Sequence, residues 1–431
     1  MLPHYPLQTA TDLDPLLAAI GEARVVLLGE ASHGTHEYYT WRTTLSKRLI
    51  QEKGFQFIAV EGDWPACFAV NAAIKRGQPL PGDSAVPVLG AFNRWPTWMW
   101  ANWEIAALTE WLHQHNQPLG PEQKVGFYGL DVYSLWESLQ EILRYVEKQG
   151  DGAVATAQQA FKCFEPYSED PQEYARAVAF VSEDCQAEVT RLLADLRRQV
   201  GQHQPTGSGM PARETDFAAE QNGLIAVNAE RYYRAMLQGG AASWNVRDRH
   251  MMETLHRLLD LHGPDSKAII WEHNTHIGDA RYTSMRREGE VNVGQLPREQ
   301  LGRSTVFAVG FGSYRGSVIA GRRWDDPHRV MAVPEAPPDT WEGRLHDELH
   351  GHDALLLSGE LRQQPGLAQP IGHRAIGVVY RPEYEQYGNY VPSLIPDRYD
   401  AFLYLDQTQA LHPLPTEARP STPPDLYPWG Q

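Results

Sequence analysis

Cysteine is scarce in this chain. Its 431 residues include three cysteines, Cys67, Cys163 and Cys185. They lie far apart and form no CxxC pair. A disulfide framework and a thiolate zinc site are therefore both unexpected, and each cysteine reads as a small buried hydrophobe. Long apolar runs are missing as well. No stretch reaches the ~20 residues that a membrane-spanning helix requires, so no membrane partner is expected. Met1-Leu2-Pro3-His4-Tyr5-Pro6 has no basic region ahead of an apolar run. No signal peptide is expected from it, and the chain reads as cytoplasmic. Positive charge is in deficit, with a formal net charge of -16. So acidic a chain repels a phosphate backbone, which argues against a nucleic-acid partner. Several motifs are also absent: there is no GxSxG nucleophile elbow, no HExxH and no GxxxxGK[ST] loop.

What is present is ordinary globular material. Hydrophobic residues make up 42% and charged residues 21% of the chain. The length suits two to four units, or one large domain carrying an insertion. Apolar runs of strand length recur: Arg24 to Gly29, Phe55 to Val60, Lys124 to Leu130, Lys267 to Trp271, Thr305 to Gly310, Asp353 to Leu357, Ala375 to Tyr380 and Ala401 to Leu405. Their apolarity is continuous rather than alternating, which suits strands buried on both faces of a parallel sheet. Glu37 to Lys53 has helical composition, and Gly54 is a stop. With the runs on either side it reads as a βαβ unit. From Leu135 to Leu261 the composition changes to Ala, Gln, Glu, Arg and Leu, with few strand runs. Glu183 to Leu193 and Glu220 to Leu237 read as helices, Gly201 to Pro211 as a loop, and the Pro-rich tail after Leu414 as irregular. The expected fold is α/β, with a mostly parallel central sheet flanked by helices. Residues 1–134 and 262–431 form the catalytic core. Residues 135–261 are a helical insertion that forms one wall of the active-site cleft.

The polar residues fall where strands end. The first run ends at Glu30, with His33 three residues on. The second ends at Glu61, the third at Asp131, and the fourth at Glu272-His273-Asn274-Thr275-His276. In open parallel sheets the carboxyl edge is where ligands bind. A carboxylate beside an imidazole orients it and raises its basicity, which makes a base able to activate water near neutral pH. Gly29 and Gly34 allow a tight turn with close backbone approach. Arg42 lies about two and a half helical turns beyond His33. There it can pair with Glu30 or Glu61, or bind a developing oxyanion. Asp131 also suits a helix cap, because Ser134 and a helical segment follow it. Trp95, Trp98, Trp100 and Trp103 suit either an apolar cleft for a bulky or sugar-bearing ligand or plain core packing.

Taken in order, Val26 to Gly34, Val60 to Trp64, Phe92 to Trp100, Gly129-Leu130-Asp131, Trp271 to Asp279 and Arg374 to Pro382 resemble the erythromycin esterase family. The resemblance runs from about Leu16 to Leu414. It implies an α/β core with a helical insertion, and hydrolysis of an ester or lactone, as in the opening of a macrolide ring. By the same resemblance His33 is the general base, with Glu30, Arg42, Glu61 and His273 as its supporting polar residues. His276, Asp131, Trp98 and Trp100 are candidates for substrate contact. No cofactor is expected, since Arg42 in the pocket would repel a cation. Glu30, His33, Glu61 and His273 nevertheless have the ligand chemistry of a divalent metal site. Two alternatives stand beside this reading. One is a metal-dependent hydrolase of another bond. The other is a binding or biosynthetic accessory protein on the same fold. The expected partner is a small-molecule ester or lactone; oligomeric state is not legible.

Overall fold

The apolar runs become buried strands in the computed structural model of the chain, which describes residues 2–149, 153–167, 174, 177, 184–199, 212–237, 239–364 and 366–415. In chain order the strands are β1 (Tyr5–Pro6), β2 (Val25–Leu28), β3 (Phe57–Asp63), β4 (Gly126–Asp131), β5 (Ala268–Trp271), β6 (Val306–Ala320), β7 (Arg329–Val333), β8 (Ala354–Leu357), β9 (Ile371–Arg374), β10 (Tyr390–Ser393) and β11 (Ala401–Thr408). The result is α/β, with a mostly parallel central sheet flanked by helices. The chain divides into two compact units. One comprises Met1–Ile58, Phe92–Leu108 and Asp265–Gln431; the other comprises Ala59–Ala91 and Thr109–Pro264.

In the first unit the strands run in the order β1-β8-β11-β6-β2-β5. Strand β2 is parallel to both β5 and β6, and β11 is parallel to β6. All four residues of β2 are buried, as its unbroken Val-Val-Leu-Leu run requires. The edges are antiparallel: β8 pairs with β11 and β1 with β8, while β7 folds back on the far half of β6. The helix His36–Lys53 follows β2 and ends at Gly54, whose φ of 70° is the left-handed C-cap expected there.

One expected strand does not form. Ala375 to Tyr380 leaves the β9–β10 hairpin and makes only isolated bridges, Ile376 to Ser32 and Val379 to Gly321. Its apolarity has a different cause. Ile376 and Tyr380 pack with Val318, Ala320, Met331 and Val333, beside the β6–β7 hairpin.

The second unit carries β4 and most of β3, which are neighbours, with the helix Trp64–Lys75 between them in sequence. It also holds the helices Leu135–Gln149, Ala153–Phe164, Gln186–Gln199, Ala212–Met236 and Ala242–His262. Their apolar faces, including Leu139, Ile142, Val189, Leu192 and Tyr232, meet in one buried cluster. The long stretch of helical composition is thus helical where it is described. The expected loop at Gly201 to Pro211 lies outside the described residues, as does the tail from residue 416. The cysteine expectation is corrected here: Cys163 and Cys185, 22 residues apart, form a disulfide, and Cys67 alone of the three is a buried free thiol. Sequence spacing did not reveal the pair because packing of the helical segments brings its two halves together. Among the described residues no helix is long and apolar enough to cross a membrane.

Candidate active site

Two strand-end turns of the first unit are stitched to each other. The backbone N–H of Glu272 donates to Leu28 O at 3.3 Å and that of Asn274 to Glu30 O at 2.8 Å. A Cβ on Gly29 would lie 2.1 Å from Asn274 Oδ1, and one on Gly34 would lie 1.9 Å from Ile319 O. These two glycines are therefore required by close approach, as the sequence suggested.

The stitching brings Glu30, His33, Arg42 and His273 together. Glu30 Oε1 accepts from His33 Nδ1 at 2.9 Å, and Glu30 Oε2 accepts from Arg42 Nη2 at 2.6 Å. Glu30 and Arg42 are fully buried, and His33 nearly so. The Arg42 guanidinium lies 4.4 Å from the Tyr39 ring centroid and 4.6 Å from that of Trp271. Arg42 thus resolves to one of its expected options, the pair with Glu30. Wrapped in aromatic rings and out of solvent, it acts on Glu30.

The rings of His33 and His273 stand 4.9 Å apart between centroids, tilted by 45°. Their hydrogen bonds set opposite tautomers. Glu30, paired with the Arg42 guanidinium, accepts, so the proton between it and His33 sits on Nδ1, and Nε2 is the acceptor nitrogen of the neutral ring. His273 instead caps the turn Asn274–Ile277, and its Nδ1 accepts from Thr275 N–H at 3.2 Å. The neutral His273 ring therefore has its proton on Nε2.

Residues that the sequence did not flag support this turn. Asn274 Nδ2 donates to Phe311 O at 2.6 Å and lies 3.2 Å from His373 Nε2, while His373 Nδ1 is 2.6 Å from Glu342 Oε1. Burial raises the Glu342 carboxyl, but His373 and Arg374 outweigh it and hold the group below its usual range. Arg398 donates to Asn274 O at 2.8 Å. His276 is buried in the same turn, and Asp279 pairs with Arg281 at 2.7 Å. Trp98 and Trp100 are buried, and Trp100 sits against Tyr39, whereas Trp103 is 55% exposed.

In the second unit, Arg247 of the helix Ala242–His262 joins two of the expected acids. It donates to Glu61 Oε1 at 2.7 Å, and to Asp131 at 3.0 Å through Nε and 2.6 Å through Nη2. Asp131 is thus a partner of Arg247, not a cap on the following helix. Sequence reading missed Arg247. A signal for it exists, because Arg247 shares the buried face of its helix with Trp244, Met251, Leu255 and Leu258, and a buried arginine needs carboxylate partners.

An α/β sheet with a Glu–His–Arg cluster and a second histidine at its strand ends suits a hydrolytic enzyme. The chain belongs to the erythromycin esterase family, whose pattern matches residues 50–408; membership supports a hydrolase of that family. The matched span contains Glu61, Asp131 and His273, while Glu30, His33 and Arg42 precede it. The erythromycin esterase type II of Escherichia coli is 24% identical over 338 residues, covering 74% of this chain and 75% of that protein. Two solved structures share the fold. One, described as a succinoglycan biosynthesis protein, has a TM-score of 0.75 at 20% identity and covers 95% of each chain. The other is an erythromycin esterase mutant in an open conformation. Its TM-score is 0.68 at 14% identity, over 95% of this chain and 98% of that one.

Proposed function

We propose that this chain hydrolyses a carboxylic ester or lactone, with His33 activating water. The carrying observation is the Glu30 carboxylate held between His33 Nδ1 and Arg42 Nη2. It fixes the imidazole so that Nε2 is the base. In the step, His33 Nε2 takes a proton from water as the water oxygen attacks the carbonyl carbon. The tetrahedral oxyanion then expels the alkoxide, the carbon–oxygen bond breaks, and the proton on His33 goes to the leaving oxygen. Acid and alcohol result. For a lactone the two stay joined as one open chain. His273, protonated on Nε2, is the donor suited to the oxyanion.

This reading needs no metal. Both oxygens of Glu30 already accept from protein donors, and an ion there would lie beside the Arg42 guanidinium, which repels a cation. The natural substrate class within esters is open to experiment, macrolides included. The test is a panel of macrolides, simple lactones and aryl esters, each with and without chelator. Turnover of at least one class is expected, unchanged by chelator. His33→Asn should lower kcat by at least ~100-fold while the protein stays folded. Near wild-type hydrolysis by that variant would sink the mechanism. Activity abolished by chelator and restored by metal would favour metal-dependent hydrolysis. Tight binding without turnover would favour an accessory role, which the likeness to a protein described as biosynthetic makes worth testing.

A further inference from the structure

Three other donor side chains of the first unit converge. His36 opens the helix His36–Lys53, Glu104 is the second residue of the helix Trp103–Asn116, and His412 follows β11. Glu104 Oε1 lies 2.6 Å from His36 Nδ1 and 2.7 Å from His412 Nδ1, and all three ligand atoms fall within 4.8 Å of one another. We infer that His36, Glu104 and His412 form a binding site for a divalent transition-metal ion of the zinc type.

Donor chemistry comes first. Two imidazoles and one carboxylate are a zinc ligand set that leaves a fourth position for water. Glu104 has no lysine or arginine ion pair among the described residues; its partners are the two histidines. A second argument is preorganisation. His36 N–H donates to Gln409 O at 2.8 Å, Trp103 N–H to His412 O at 2.9 Å, and Leu414 N–H to Ala101 O at 2.9 Å. The three ligand-bearing segments are therefore tied to one another by main chain, although they are distant in sequence. Third, access is open on one side. The Glu104 side chain is 3% exposed and that of His412 is 57% exposed. The acidic chain also favours cations.

Without an ion, the two Nδ1–H groups share one carboxylate oxygen. To hold zinc the two Nδ1–Oε1 distances must widen to about 3.3 Å, the edge of a tetrahedron with bonds of roughly 2.0–2.1 Å. The exposed His412 can make that movement. Each Nδ1 must give up its proton to bind the ion; the contact with Glu104 favours the protonated His36 ring, so that residue releases its proton on binding.

The experiment titrates chelator-stripped, untagged full-length protein with Zn2+ in a calorimeter and locates the ion by anomalous diffraction at the zinc edge. One Zn2+ per chain is expected, between His36, Glu104 and His412. His412→Ala and His36→Ala should each weaken binding at least ~10-fold. Zinc should raise Tm in the wild type and fail to raise it in the double variant. Absence of stoichiometric binding, equal affinity in the wild type and the double variant, or an anomalous peak on other residues would overturn the inference. None of these readouts depends on hydrolytic activity.

Discussion

The Glu30 carboxylate is the residue on which the proposed chemistry turns. It is fully buried between an imidazole and a guanidinium that is itself out of solvent. Removing one partner of such a pair strands the other charge, a change that costs about 3–5 kcal/mol. Glu30→Gln should therefore act twice. It should destabilise the fold by about that amount, read by urea unfolding, because Arg42 loses its counter-charge. It should also lower kcat, because an amide orients His33 without favouring its protonated form. Unchanged stability would show that Arg42 finds another anion. The residue scale is also where sequence reading reached furthest and then stopped. Glu30, His33 and His273 were legible because each sits at or just past a strand end, and Arg42 because it lies on the helix that follows the first of them. His373, Glu342 and Arg247 were not, because their partners lie 31 residues away or more.

At the scale of elements, the turn after β2 depends on a glycine with a backbone neighbour. Gly34→Ala would place Cβ 1.9 Å from Ile319 O in β6, and main chain cannot swing aside as a side chain would. A marked fall in Tm is expected. Gly377→Ala is the matched control, since a Cβ there meets nothing within 4 Å. Equal Tm values for the two variants would contradict the packing described for the turn. Strand identity was mostly legible, since continuous apolar runs gave β2 to β6, β8 and β11. The run at Ala375 to Tyr380 shows the limit. An apolar segment buried against a hairpin has the same composition as a sheet strand, and only neighbouring backbone distinguishes them. Strands β1, β7, β9 and β10 were missed for the opposite reason, since none is a continuous buried apolar run. Strand β1 is two residues long, and three of the five residues of β7 are exposed.

For the molecule as a whole, acid sensitivity follows from two histidines of the second unit, His250 buried and His262 half-buried. Burial pushes His250 down to about 4, and it pushes His262 down to about 4 as well. Unfolded, these rings titrate near 6.5. Between those values the unfolded chain binds more protons, so stability is present above about pH 6.5 and drains away as pH falls toward 4. For His250 the loss is about 2 kcal/mol by pH 5. Tm should drop from pH 7 to pH 5, and His250→Gln should narrow that drop. A pH-independent wild-type Tm across this range would count against the neutral buried ring.

The sequence by itself determined the class of fold and the chemical character of the strand ends. Both are local properties: burial on two faces demands continuous apolar residues, and a polar residue ending such a run must be satisfied. Tertiary structure decided the partnerships. It gave Glu30 to Arg42, joined Glu61 and Asp131 through Arg247, set opposite tautomers on His33 and His273, linked Cys163 to Cys185 and drew His36 toward His412. These pairings rest on distances of a few ångströms between residues far apart in the chain. A pattern of residue types along one dimension does not contain them.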